Sequence, residues 1–182
     1  MKISWIIIFL ISVEVGWLYN RMIGLKKRAE GAWSDVDVQL KRRHDLIPSL
    51  VTCVQGYMQH ERGTLTEVTL ARQSAQGVHR VEEKGVSEQN LTQNLKSLIL
   101  LSERYPELKA NTTFLSLQEK LTDTENLIQN ARRYYNAVVR DYNTLMGQFP
   151  HLIIAKIFHF QPLEFFELEE ASEANAQKVN LL

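Results

Sequence analysis

The sequence predicts an all-helical protein, a long antiparallel four-helix bundle whose first helix begins as a transmembrane helix. Only 8 glycines and 4 prolines interrupt the 182 residues, so little of the chain opposes long helices. Apolar residues recur at steps of three and four along most of it, which is typical of helices with one buried face. A continuous apolar run near the N-terminus is long enough to cross a bilayer. We therefore expect an anchor at 1–20, a bundle at 21–149 and a separate segment at 150–182.

Charge and cysteine content argue against a nucleic-acid-binding protein and against one with internal disulfides or a Cys/His zinc site. The 21 basic residues are balanced by 21 acidic ones, so the basic excess typical of nucleic-acid-binding surfaces is missing. The single cysteine, Cys53, has no partner for an internal disulfide, and no Cys/His spacing for zinc is present. We expect Cys53 to be a small apolar residue on a buried helix face.

The segment from Ile3 to Tyr19 is the predicted membrane anchor. It contains one charge, Glu14, and places Trp5, Trp17 and Tyr19 near its two ends, as in the aromatic belts of membrane helices. A cleavable secretory signal is the alternative. Because no small-residue cleavage triplet follows the run, a retained anchor is favoured.

Cations on the two sides of the anchor predict its orientation. Lys2 precedes it, whereas Arg21, Lys26, Lys27 and Arg28 follow it. The positive-inside rule then places the N-terminus outside and the following domain in the cytoplasm. Residues 26–28 lie close enough to the anchor to contact anionic headgroups.

The periodicity places three helices before residue 102. The first continues from the anchor as one rod and is expected to end near Asp45, because Pro48 disfavours helix before it and suits the first turn of a new helix. The second is expected from Pro48 to about Ala75. The polar stretch Gln76–Gln89 is interpreted as a loop, and Leu91–Leu101 as a shorter third helix.

The fourth predicted helix has the most regular stripe in the chain, typical of a seam packed in coiled-coil fashion. Its apolar positions are Phe114, Leu117, Leu121, Thr124, Ile128, Ala131, Tyr135, Val138, Tyr142, Leu145 and Phe149. Such a seam needs partner helices, and short connections favour an antiparallel bundle. Tyr135 and Tyr142 are interpreted as core aromatics with hydrogen-bonded hydroxyls.

The stretch RYPELKANTTF, Arg104 to Phe114, is interpreted as a corner between helices. Pro106 does not fit inside a continuing helix, and Asn111, Thr112 and Thr113 are residues that cap a first turn.

Clustered arginines are candidates for contacts between helices or with partner proteins: Arg42, Arg43, Arg132, Arg133 and Arg140. The alternative is that they belong to solvated faces. Interhelical pairing would contribute little stability at the surface but would favour one register.

The segment from His151 to Phe160 is strongly apolar and follows the fourth helix. It either lies in the membrane interface beside the anchor, with Ile154, Ile157 and Phe158 in the lipid, or folds back to cap the bundle core. The polar and acidic residues after Phe166 predict a disordered tail.

Four stretches carry a resemblance to a known family: Ala32 to Val51, Tyr105 to Asn111, Asp123 to Asn143 and Phe149 to Phe160. In order and spacing they closely resemble the LemA family of bacterial membrane proteins, from about Tyr19 to Phe166. The resemblance implies a single-pass N-terminal helix, a cytoplasmic domain of long antiparallel helices, and a place in the bacterial inner membrane. It implies no enzymatic activity or cofactor. His44 departs from the family, which usually has an aromatic residue there.

No catalytic motif is present. His60-Glu61 lacks the second histidine of a zinc-protease helix, and there is no phosphate loop or serine elbow. We therefore expect a non-enzymatic scaffold that contacts the lipid bilayer and other membrane proteins or itself, without cofactor, metal, nucleic acid or small-molecule substrate. A regulatory adaptor of a membrane enzyme such as a protease is the alternative, and an enzyme with an unrecognised site is a third.

Overall fold

The computed structural model describes residues 2–58, 60–78 and 80–166, so the predicted C-terminal tail lies outside the described residues. These residues form six helices: α1 Lys2–Gln55, α2 Arg62–Gly77, α3 Val81–Ser102, α4 Pro106–Lys109, α5 Thr112–Gly147 and α6 His151–Ile157. No strand occurs in those three ranges. The all-helical class is confirmed. The helix count differs from the predicted four, and the antiparallel four-helix arrangement stays a prediction.

Helix α1 does not end near Asp45, as the sequence predicts, but continues through Pro48 to Gln55. Proline lacks the N–H that a helix needs at this point, so the carbonyl of His44, four residues earlier, loses its usual donor. Arg72 of α2 replaces that donor, because its Nε donates to the His44 carbonyl oxygen at 2.8 Å. Ile47 and Leu50 on either side of the proline are almost fully buried. Their burial favours continuation of the helix and offsets the local cost of proline, about 3 kcal/mol.

The predicted second helix is wrong in its first half, because residues 48–55 belong to α1. The chain turns at Gly56 and Tyr57, where the N–H groups of Tyr57 and Met58 both donate to the Val54 carbonyl at 2.9 and 3.0 Å. Met58 is fully buried and fixes this turn to the core. Helix α2 then begins at Arg62.

The predicted loop at 76–89 is also wrong for most of its length. Only residues 78–80 separate α2 from α3, which begins at Val81. Gly85 and Glu88 in the early part of α3 are buried. This polar segment is therefore largely helical.

The corner predicted at Arg104 to Phe114 is confirmed. Pro106 occupies the first position of the short helix α4. Asn111 caps α5, because its Oδ1 accepts a hydrogen bond from the Phe114 N–H at 3.0 Å. Its Nδ2 donates to the Tyr57 hydroxyl at 3.0 Å.

Helix α5 follows its predicted stripe closely but ends at Gly147. Nearly every stripe position from Phe114 to Leu145 is buried, whereas Phe149, beyond the helix, is 81% exposed. The hydroxyls of Tyr135 and Tyr142 donate to the carbonyls of Glu164 and Gln161 at 2.8 and 3.1 Å. Both tyrosines are thus buried aromatics with hydrogen-bonded hydroxyls, as predicted.

The described residues divide into two compact units, one of residues 2–42 and 123–165 and one of residues 43–122 with Phe166. In the first unit, a core cluster joins α1, α5 and α6: Leu18, Met22, Leu145, Ile154 and Ala155. The segment after α6 is held to α5 by Asn143, whose Nδ2 donates to the Leu163 carbonyl at 2.9 Å while its Oδ1 accepts from the Leu163 N–H at 3.0 Å. In the second unit, one core of aliphatic residues and Phe114 joins the end of α1, α2, α3, α4 and the start of α5.

Candidate membrane and polar contact sites

The N-terminal part of α1 presents a largely apolar surface. The large apolar side chains from Ile3 to Val13, and Trp17, are more than half exposed, including Phe9 at 67% and Leu10 at 61%. Within the described ranges, α1 is the one helix long and apolar enough to cross a membrane, with a mean hydropathy of 1.6 over 18 residues. Only 6% of that window is buried, unlike the core helix of a soluble protein. A helix near an N-terminus with these properties fits either an anchor or a signal sequence.

The structure separates the predicted membrane-contact residues by exposure. Trp5 and Trp17 are exposed at 71% and 57%. Tyr19 is half-buried because its ring packs on those of Phe158 and Phe160, with centroids 4.8 and 5.7 Å apart.

The predicted cationic contacts follow on α1. Lys26 is half-buried, and Lys27 and Arg28 are exposed. Lys27 Nζ forms an ion pair with Glu30 at 2.7 Å. This pair partly neutralises the charge of Lys27. Arg28 has no ion pair within the described ranges.

Helix α6 has one buried and one exposed face. Ile154, predicted to contact lipid, is 4% exposed and packs with Leu18 and Met22 of α1. In this structure Ile154 is therefore part of the core cluster and is not available to the membrane. Ile157 and Phe158 remain 60% and 48% exposed. The buried Ile154 agrees with the capping alternative, and whether the exposed side chains lie in the membrane interface stays a prediction.

His151, at the start of α6, is buried without a hydrogen-bond partner for its Nε2 among the described residues. Burial, with a smaller effect from the charge of Arg21, lowers the pKa of this imidazole. The neutral form is therefore favoured at position 151.

A second polar group lies in the core of the other unit. Arg43, His44 and Glu88 are 2%, 5% and 2% exposed. Glu88 Oε2 accepts from Arg43 Nη2, and Glu88 Oε1 lies 2.9 Å from His44 Nε2. Arg43 Nη1 also donates to the Thr92 hydroxyl at 2.7 Å. One carboxylate of α3 therefore holds two neighbouring residues of α1.

The electrostatics of this cluster favour an ionised Glu88. Burial alone raises the pKa of its carboxyl, but the adjacent His44 imidazole and the charge of Arg43 together outweigh burial, and the net pKa is lowered. The cluster contains no nucleophile and is shielded from solvent. Its geometry is suited to fixing the register of α1 against α3.

The predicted arginine contacts lie in different settings. Arg43 pairs across helices, whereas Arg42, Arg133 and Arg140 are exposed and Arg132 is half-buried. None of these four has an ion pair within the described ranges.

Glu88 was missed because the sequence interpretation assigned its segment to a loop. A signal was nevertheless present: stepping back three residues from the stripe of Leu91, Leu95 and Leu98 reaches Glu88. Arg43 likewise falls between Leu40 and Ile47 on the buried stripe of α1. Opposite charges that continue the apolar stripes of two helices indicate a buried pair.

The described residues contain no group of three or more His, Cys, Asp or Glu side chains arranged to hold a metal ion. The shallow clefts of the described surface are lined by mixed polar and aliphatic side chains.

These features define an all-helical protein with one exposed apolar helix at its N-terminus and a polar pair buried between helices. A profile of the LemA family matches residues 32–181, and the chain belongs to that family.

Two relatives are similar to this chain, and the first carries the family name. Protein LemA of Metamycoplasma hominis is 19% identical over 186 aligned residues, which cover 99% of this chain and 85% of the relative. Magnetosome protein MamQ of Magnetospirillum gryphiswaldense is 20% identical over 181 residues, which cover 85% of this chain and 66% of the relative. The family and the apolar helix together support membrane association.

Proposed function

We propose that the protein is a single-pass, non-catalytic scaffold that holds partner proteins, or further copies of itself, at the cytoplasmic face of a bacterial inner membrane. The observation that carries the proposal is the apolar surface of α1, from Ile3 to Val13, whose large side chains are all more than half exposed in the described structure. In water such a surface is strongly unfavourable, whereas a bilayer removes it from solvent at no cost in hydrogen bonds, because the helix satisfies its own backbone.

The scaffold role is supported by the surface chemistry of the folded part. Arg42 and Arg133 are exposed and form no ion pair in the described ranges, so their guanidinium groups can bind carboxylates of a partner. The similarity to a magnetosome protein is consistent with a role on a membrane. The cations after the anchor, including Lys26 and Arg28, favour a cytoplasmic domain.

Replacing Leu10 by arginine is expected to release the protein from membranes. A charge near the middle of a short apolar helix opposes insertion, so the variant should move from the pellet to the supernatant on alkaline extraction of cell membranes. Val38→Arg is the matched control, because Val38 is 58% exposed on the same helix but lies beyond the apolar run. Wild-type protein that is itself extracted, or equal behaviour of the two variants, contradicts the anchor.

Crosslinking in the same native membranes distinguishes the scaffold proposal from the regulatory adaptor. Recovery of the chain with itself or with several membrane proteins supports the scaffold. A single stoichiometric protease partner instead supports the regulatory adaptor.

The exposed face of α6 extends the proposal to a second membrane contact. Ile157 and Phe158 are exposed, and α6 packs on α1 at Leu18 and Met22, where the apolar run ends. A helix placed at that level can bury an apolar face in the headgroup boundary.

Cysteine labelling tests the α6 contact in the full chain. In a Cys53→Ser background, Phe158→Cys is expected to react slowly with a charged maleimide in membranes and quickly after detergent is added. Glu119→Cys, at an exposed position of α5, should react quickly in both conditions. Equal rates for the two cysteines in membranes exclude the interfacial position.

A further inference from the structure

A cleft between α1 and α5 in the first unit combines three cations with hydrogen-bonding side chains. Its volume is about 420 Å³, within the range of small-ligand sites. The polar residues that line it are Arg21, Arg28, Arg140, Asp141, Thr144 and Gln148. Leu25 and Leu145 supply apolar walls.

The charges of the cleft are not balanced internally. Three guanidinium groups face one carboxylate, Asp141, and no described carboxylate forms an ion pair with Arg21, Arg28 or Arg140. Arg21 lies over the Trp17 ring, 5.5 Å from its centroid, which is a contact that leaves its N–H groups available. An anion therefore fits the cleft better than a cation or a neutral ligand.

The position of the cleft along α1 points to the source of that anion. Arg21 lies roughly 3 Å and Arg28 roughly 14 Å along the helix axis beyond Tyr19, at 1.5 Å per residue. The headgroup layer extends about 5 to 7 Å beyond the hydrocarbon, and arginine side chains reach back toward it.

A second cleft borders this site and reaches the end of the apolar run. It has a volume of about 500 Å³ and shares Arg21, Leu25 and Arg28 with the first, but it also reaches Trp17 and Gly24. A molecule with a charged end in the first cleft can thus place an apolar part beside Trp17. This combination of charge and apolar surface is the chemistry of a phospholipid.

We propose that the cleft of Arg21, Arg28 and Arg140 binds the phosphate of an anionic phospholipid headgroup. The planar guanidinium groups of Arg28 and Arg140 grip the phosphate oxygens from two helices, and Thr144 and Gln148 bind hydroxyls of the headgroup. The inference rests on the membrane anchor proposed above. Its effect is to fix α5 to α1 through a lipid at the membrane surface.

Native mass spectrometry of the full chain, released from nanodiscs of equal parts phosphatidylglycerol and phosphatidylcholine, tests the site. The wild type is expected to retain phosphatidylglycerol in preference to phosphatidylcholine. Since each cation near an anionic bilayer contributes a factor of about five, Arg28→Gln with Arg140→Gln should lower this retention about 25-fold. Asp141→Asn should raise it, because the opposing charge is removed.

The matched control is Arg132→Gln with Arg133→Gln, which removes the same charge from α5 outside the cleft and should leave retention unchanged. Equal losses in the two double variants, or no preference in the wild type, overturn the proposal. Binding of inorganic phosphate as tight as that of phosphatidylglycerol overturns the assignment of a lipid as the ligand. Failure of the anchor is distinguishable, because the wild-type protein then does not enter nanodiscs at all.

Discussion

Replacing Glu88 by alanine is expected to lower the free energy of unfolding by about 3 to 5 kcal/mol. The substitution removes the carboxylate between Arg43 and His44, and Arg43 is only 2% exposed. A buried guanidinium without its partner keeps the full cost of leaving water. Chemical denaturation in detergent micelles, followed by circular dichroism at the helix band, measures the change.

The control is Glu119→Ala, which removes an exposed carboxylate of α5 and should change stability by about 0.5 kcal/mol or less. The triple variant Arg43→Met, His44→Phe, Glu88→Leu removes all the polar groups together and should recover most of the loss. If Glu88→Ala is as stable as Glu119→Ala, the buried pair is not formed.

The pH dependence provides a second test of the Glu88 cluster. The net pKa of Glu88 is lowered in the folded protein from its ordinary value of 4.5. The unfolded chain therefore binds the proton more readily, so this stabilisation is complete above pH 4.5 and is lost as the pH falls through the folded pKa. The Glu88→Gln variant should not show this part of the loss of stability on acidification.

Replacing Arg72 by methionine is expected to lower the free energy of unfolding by about 1 to 3 kcal/mol. Its Nε is the donor that satisfies the His44 carbonyl, which Pro48 deprives of the usual helical N–H. Methionine keeps the apolar stem but has no donor. Thermal and chemical unfolding of the full chain in micelles gives the magnitude.

A double-mutant cycle with Pro48→Ala isolates this cause. Alanine restores an N–H four residues after His44, so Arg72→Met in the Pro48→Ala background should cost less than about 0.5 kcal/mol. Equal losses in the two backgrounds would mean that Arg72 stabilises the protein through packing alone.

The sequence predicted α5 well because the same apolar spacing is repeated along the helix. Each stripe position from Phe114 to Leu145 provides the same indication of a buried helix face, and a single exception does not change the period. The corner at Pro106 and Asn111 was also predictable, since both residues act on their own backbone neighbours.

The continuation of α1 through Pro48 was not predictable from local rules. The proline lowers the propensity for helix at one position, whereas the compensating contacts come from Arg72, 24 positions later in the sequence, and from the burial of Ile47 and Leu50. Glu88 was misplaced for a related reason: a charged residue in a polar stretch indicates solvent unless its partner on another helix is known.

The apolar N-terminal run was evident from composition, but the buried position of Ile154 was not. On a helix as short as α6, periodicity over seven residues does not distinguish the face that packs on α1 from the face that is exposed. The arginine cleft depends on residues of two helices and so has no signature in any one stretch of the sequence.

Because Asn143 forms two hydrogen bonds with the backbone of Leu163, this half-buried position tolerates few other side chains. The side-chain amide imitates a peptide group, offering one donor and one acceptor to a single backbone residue. The nearly isosteric aspartate retains only the acceptor and sets a negative charge against the Leu163 carbonyl. Deamidation of Asn143 as the protein ages would therefore weaken the attachment to α5 of the chain that follows α6.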